Sequence, residues 1–274
     1  MAGESGEAGE SSDAGETANV IVLALDTTTR GGSVAVADGD RMLAVLAGDE
    51  SRTHGERLPG EIARALDQAG IARERIDLLA VATGPGAFTG LRIGLAAMQG
   101  LAMTLNKPVA GVSALDALAE QVLQPTAHAN SERSEAEIIA PWMDAQRGDV
   151  FATLIDRRSG ATLEAPAAAN PIALLESWRS HLANRRVIFI GDAAIRDGAL
   201  IEQAGAGLWE TRVPSPLAPQ IAIIGRRRAE KGEAGPPHAL EPIYVRRPDA
   251  EIERDNRRPK ADPERNVDSE GGDR

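Results

Sequence analysis

Residues 25–29 (LDTTT) join two apolar runs, and a carboxylate followed by hydroxyls and turn N–H groups can hold a phosphate or a hydrated Mg²⁺. Asp26, Thr27 and Thr28 are the candidates. The plainer alternative is that Asp and Thr close the turn on their own backbone, and composition alone favours it. A second segment, residues 84–94 (GPGAFTGLRIG), spaces its glycines G-x-G-x-x-x-G, one residue longer than a dinucleotide fingerprint. No Gly-Lys-Ser/Thr follows, so it is not a P-loop either. It remains a Gly-rich turn feeding a helix N-terminus, where N–H groups and the helix dipole favour an anion. A third segment, residues 144–151 (DAQRGDVF), is a polar turn between strands. The chain has no cysteine, which excludes disulfides, thiolate nucleophiles and Cys-ligated zinc. Its four histidines (His54, His128, His181, His238) are scattered, with no H-E-x-x-H pair, and no G-x-S-x-G elbow occurs.

The elements that must position these residues follow from apolar patterning. Residues 19–25, 33–37 and 42–47 read as three strands joined by tight turns, an antiparallel meander. Residues 54–68 place Leu58, Ile62, Ala65 and Leu66 at helical spacing, and Gly70 ends the helix. A buried strand is expected at 76–82, a helix at 89–105, an extended segment at 109–112 and a helix at 114–123. Beyond a polar loop, strands at 138–143 and 149–155 flank the turn at 144–148. A helix at 171–182, a strand at 186–190, a last helix at 215–231 and the segment 242–247 complete the order. This order predicts an α/β protein of two lobes, each a mixed sheet with flanking helices. The expected division is a tail at 1–18, an N-terminal lobe at 19–113, a C-terminal lobe at 114–248 and a second tail at 249–274. Periodicity reveals no internal repeat.

A chain of 274 residues, 42% hydrophobic, can bury a substantial core. Its net charge of −11 is unevenly placed: residues 1–18 carry five acids and no base, and residues 249–274 carry nine acids and six bases. Both ends are too polar to fold alone, and the part between them is close to neutral. The acidic start is not a secretory leader, and no run approaches the roughly 18 to 20 apolar residues that span a bilayer. The expected location is the cytoplasm, without membrane contact. With Phe 3, Trp 3 and Tyr 1, stacking platforms for bases are scarce, and the acidity argues against a chain that grips nucleic acid alone.

The helix at 89–105 has three stripes. Gly90, Gly94, Ala97 and Leu101 form one, Leu91, Leu95, Met98, Ala102 and Leu105 a second, and only the third, with Arg92, Ala96, Gln99, Met103 and Asn106, is appreciably polar. A helix apolar on two sides is central in its own core or shared with a partner. Glycine costs helix stability about 1 kcal/mol relative to alanine, so glycines at 90, 94 and 100 call for a packing reason.

Several segments together resemble one family. ALDTTTRGGSVAV, THGERLPGEI, ATGPGAFTGLRIGLAAMQGLA, PVAGVSALDALAE, MDAQRGDVFATL and LEPIYVRR look like TsaB, and the resemblance spans about residues 19–247. It implies an actin-like ATPase fold of the sugar-kinase and heat-shock type. It also implies a noncatalytic dimerisation subunit that pairs with TsaD, the enzyme that transfers threonylcarbamoyl to the adenosine next to the anticodon of tRNAs reading codons that start with A. By the same resemblance TsaE joins the assembly, TsaC makes the adenylate, the free chain is a homodimer, and tRNA is met only through the complex. TsaD carries two histidines four apart on the helix after its first strands; here His54 is followed four residues later by Leu58, which implies no metal and no catalysis. The second-lobe glycine turn reads Gly191, Asp192, Ala193, Ala194, with one glycine where the fold's nucleotide turn has more. No tightly bound cofactor is implied, only ADP or ATP at the contact with TsaD. The implied partner surface comprises Gly90, Leu91, Gly94, Ala97 and Leu101 with Leu58 and Ile62, so Gly94→Arg or Leu101→Asp is expected to abolish association and spare the fold. The competing reading is a stand-alone glycoprotease-like peptidase or an ATPase.

Overall fold

The structure, a computed structural model, describes residues 19–124 and 135–246. The expected unfolded tails, His128 and Arg247 lie outside the described residues. Strands β1 (Ile21–Asp26), β2 (Ser33–Asp38) and β3 (Arg41–Ala47) form the expected meander, and β4 (Leu78–Gly84) and β5 (Val109–Ser113) add to β1 in parallel, giving the order β3-β2-β1-β4-β5. Helices α1 (His54–Ala69) and α2 (Phe88–Leu105) cover one face. The two-residue period of β1 explains both layers: Ile21, Leu23 and Leu25 pack under α1 and α2, while Val22 and Ala24 enter the core on the other face. At the start of α1, Glu56 accepts from the Thr53 N–H (3.1 Å) and hydroxyl (2.8 Å), and Gly70 ends the helix in the left-handed conformation at φ +66°.

The second sheet repeats this plan. Strands β6 (Ile138–Asp144), β7 (Val150–Asp156) and β8 (Thr162–Ala169) form an antiparallel meander, and β9 (Val187–Ile190) and β10 (Trp209–Arg212) add to β6 in parallel, in the order β8-β7-β6-β9-β10. With helices α3 (Ala114–Leu123), α4 (Pro171–Ser177), α5 (Arg179–Leu182), α6 (Asp192–Arg196), α7 (Gly198–Gly205) and α8 (Ala218–Glu230), and taking α4 with α5 and α6 with α7 as one helical segment each, the motif β-β-β-α-β-α-β-α occurs twice. This duplicated lobe agrees with the actin-like ATPase fold that the resemblance implies. The repeat is invisible to residue periodicity because it lies in strand order, not in matching side chains.

The last helix of each repeat crosses over. Helix α3 packs chiefly on β6 of the second sheet, and α8 packs on β1, β2, β4 and β5 of the first. The expected single lobe at 114–248 is corrected accordingly: the second sheet occupies 138–212, and the chain then returns to the first lobe. Residue 235 pairs with Val109 at the edge of β5, and Ile243 N–H donates to the Thr83 carbonyl at 2.7 Å.

Strands β8 and β10 and helices α6 and α7 have no counterpart in the sequence reading. β8 is an alanine-rich edge strand containing Pro166, held by its pairing with β7 and not by propensity. The expected helix at 171–182 is interrupted at Trp178, whose indole is buried edge-on against Trp142 at 6.0 Å. The last helix begins at Ala218, three residues later than expected, after Pro216.

Candidate functional site

The hairpins after β1 and β6 face the gap between the lobes, and each begins with an aspartate closing its own turn. Asp26 Oδ1 accepts from the Thr28 N–H (2.8 Å) and hydroxyl (2.5 Å), and Oδ2 accepts from the Thr29 hydroxyl (2.7 Å). Asp144 Oδ1 accepts from the Gln146 N–H at 3.2 Å, the same i to i+2 bond in the second repeat, and Arg196 donates to it at 2.5 Å. Burial pushes the Asp26 carboxyl above its ordinary pKa, with the threonine bonds opposing that shift. Thr27 and Thr28 are buried. In this structure Asp26 and Thr28 form the turn, Thr27 Oγ1 is buried without a hydrogen-bond partner among the described residues, and none of the three expected phosphate ligands lines the adjacent cavity. The cavity beside this hairpin, about 280 Å³, is lined instead by Thr29–Gly32, Gly48, Glu50, Gly191, Asp192 and residues 214–217.

His54 sits under the same hairpin. Its Nδ1 lies 2.8 Å from Arg57 Nη2, and partial burial followed by the charge of Arg57 lowers its pKa. Arg57 is itself buried, forms a 2.8 Å ion pair with Glu61 and donates to the Gly31 carbonyl. A guanidinium beside Nδ1 opposes a metal cation at this imidazole. Among the described residues no group of three or more His, Cys, Asp or Glu is arranged to hold a metal ion.

The structure divides the seven expected partner residues. Leu58 and Leu91 are core residues at 3% and 1% exposure. Gly90 and Gly94 face inward: a Cβ on Gly94 would overlap Thr27 Oγ1, and one on Gly90 the Thr27 carbonyl. These four are corrected from partner residues to internal packing, and Gly94→Arg from a clean interface variant to one that disrupts the first lobe. Ile62, Ala97 and Leu101 are half-buried along the join of α1 and α2.

The face of α2 that meets solvent is the third stripe and its flank, with Thr89, Arg92, Ala96, Gly100, Met103 and Thr104 exposed. Met103 is 72% exposed. Over its 18 residues (FTGLRIGLAAMQGLAMTL), α2 has one charged side chain, Arg92. Gly100 has helical backbone and nothing within 4 Å of where a Cβ would stand, and the same holds for Gly60 on the neighbouring α1. Among the described residues nothing packs on either glycine. The sequence signal for this face was the shortage of charge along the whole helix; stripe analysis alone turned the wrong side outward.

Comparison with known proteins follows the same lines. Residues 46–174 match the family described as TsaD, tRNA N6-adenosine threonylcarbamoyltransferase. The chain is 28% identical over 235 residues to the tRNA threonylcarbamoyladenosine biosynthesis protein TsaB of Bacillus subtilis, covering 84% of this chain and 96% of that protein. It is 35% identical over 141 residues to TsaB of Haemophilus influenzae, covering 51% and 55%. The solved structure of YeaZ from Pseudomonas aeruginosa superposes with a TM-score of 0.65 at 26% identity, covering 82% of this chain and 99% of that one.

Proposed function

We propose that this chain, similar along most of its length to TsaB tRNA threonylcarbamoyladenosine biosynthesis proteins, is the noncatalytic subunit that pairs with TsaD through the outer faces of α1 and α2. The observation that carries this reading is the solvent face of α2, long and nearly uncharged, with Gly100 open to close approach by another helix. An exposed helix of an ordinary monomer would carry charge there. The same face serves the homodimer of the free chain, and TsaE joins the assembled pair. Work on tRNA in the cytoplasm is done through TsaD. No helix among the described residues is long and apolar enough to cross a membrane.

The noncatalytic role is supported by the use of Asp26 within its own turn and by the cation beside His54. The reading gives the subunit no tightly bound cofactor, only ADP or ATP at the contact with TsaD. The test is co-purification with TsaD of the same organism, with Gly100→Arg as the variant. Gly100→Arg should lose TsaD and tRNA modification while melting like the parent. A variant that still co-purifies and supports modification would remove α2 from the interface. Nucleotide hydrolysis by the purified chain alone would favour the ATPase reading.

A further inference from the structure

The only charge on α2 is held as if waiting for a counter-ion. Arg92 is exposed, and among the described residues no carboxylate pairs with it. Its guanidinium lies over the Phe88 ring, 3.9 Å from the centroid, and its Nε donates to the Tyr244 hydroxyl at 3.2 Å. The rings of Phe88 and Tyr244 are 5.7 Å apart, and each is 40% exposed. A chain with seven aromatic residues thus gathers its two clearly exposed rings around one unpaired cation. Stacking and the Nε bond restrain the guanidinium and leave its Nη atoms free to bond an anion. The first turn of α2 has no acidic side chain, so the helix dipole adds positive potential at the same place.

We propose that Arg92, braced by Phe88 and Tyr244, is the polar anchor of the α2 interface and receives a carboxylate side chain from the protein that packs there. This rests on the partner reading of α1 and α2 and adds the chemistry of the partner: TsaD must present an aspartate or glutamate at the end of its contact near residues 88–92. Three features favour a protein carboxylate over an RNA phosphate. The site is continuous with the uncharged face of α2, its composition of Arg, Tyr and Phe is that of an interface anchor, and the nearby Arg246 is already paired with Asp149.

The test measures binding of the full chain to TsaD at 50 mM and 500 mM salt, for the parent, Arg92→Gln, Arg92→Lys, Tyr244→Phe and Gly100→Arg, each first checked for parental melting. Loss of a buried charge-assisted bond predicts about tenfold or weaker binding for Arg92→Gln, with most of the salt dependence gone. Arg92→Lys should fall between, because the charge remains but the planar fork does not, and Tyr244→Phe should weaken binding less than Arg92→Gln. The proposal is overturned if Arg92→Gln binds TsaD with parental affinity and salt response while Gly100→Arg does not bind, which leaves the partner reading intact. It is equally overturned if Arg92→Gln spares TsaD and lowers only retention of tRNA by the complex, or only self-association. Should both Arg92→Gln and Gly100→Arg bind as the parent does, the partner reading fails as well.

Discussion

At the scale of single residues, two glycines of one helix carry opposite meanings. Gly94 abuts Thr27, so Gly94→Ala should destabilise the protein by about 1–3 kcal/mol through overpacking. Gly100 faces open space, so Gly100→Ala should stabilise it by up to about 1 kcal/mol. Urea unfolding of the two variants checks both signs. His54 gives a pH-dependent counterpart. Its folded pKa is lowered from 6.5, so its contribution to stability is present above that value and is lost as pH falls through the lowered pKa. His54→Gln should therefore remove part of the stability loss the parent shows on acidification below about pH 6.5, measured as urea midpoints across pH 5–8. If both proteins lose stability in parallel, the ring is not held neutral by the fold.

At the scale of elements, α1 is joined to the first hairpin by a buried charge. Arg57 and Glu61 lie one turn apart with side chains 3% and 4% exposed, and Arg57 reaches the Gly31 carbonyl. Removing one member leaves the other charge buried, so Arg57→Ala should cost about 3–5 kcal/mol. The pair replacement Arg57→Met with Glu61→Met should recover most of that loss, and a thermal double-mutant cycle measures the coupling. A double variant no better than Arg57→Ala would mean that the bond to the hairpin carbonyl, not the ion pair, carries the stability. The helical spacing of α1 was legible from Leu58, Ile62, Ala65 and Leu66. Its ion pair was not, because a charged residue on an apolar stripe reads as solvated until a neighbouring loop covers it.

At the scale of the whole molecule, the crossing of α3 and α8 makes the two lobes interdependent. Ile221 and Ala222 of α8 enter the core beneath the first sheet, and Gly225 approaches Ala80 of β4 too closely for a side chain. Residues 19–113 expressed alone, without α8, should lack a cooperative thermal transition. A sharp transition would show that the first sheet is stable without α8. The apolar runs at 19–25, 76–82 and 186–190, the meander and the long helices were readable in the sequence because burial on both faces leaves continuous apolar stretches and helices leave a 3.6-residue period. Segments such as β8 and β10 leave no such trace, since edge strands draw their stability from the neighbour they pair with. The candidate site divides in the same way. The sequence by itself determined that α2 is a nearly uncharged helix entered by a glycine turn, and its motifs carried the resemblance to TsaB. Only the tertiary structure decided that Gly90 and Gly94 turn inward against Thr27 and that Arg92 and Gly100 turn outward. The reason is physical: a helix apolar on several sides has no preferred face until the sheet and hairpin it covers choose one.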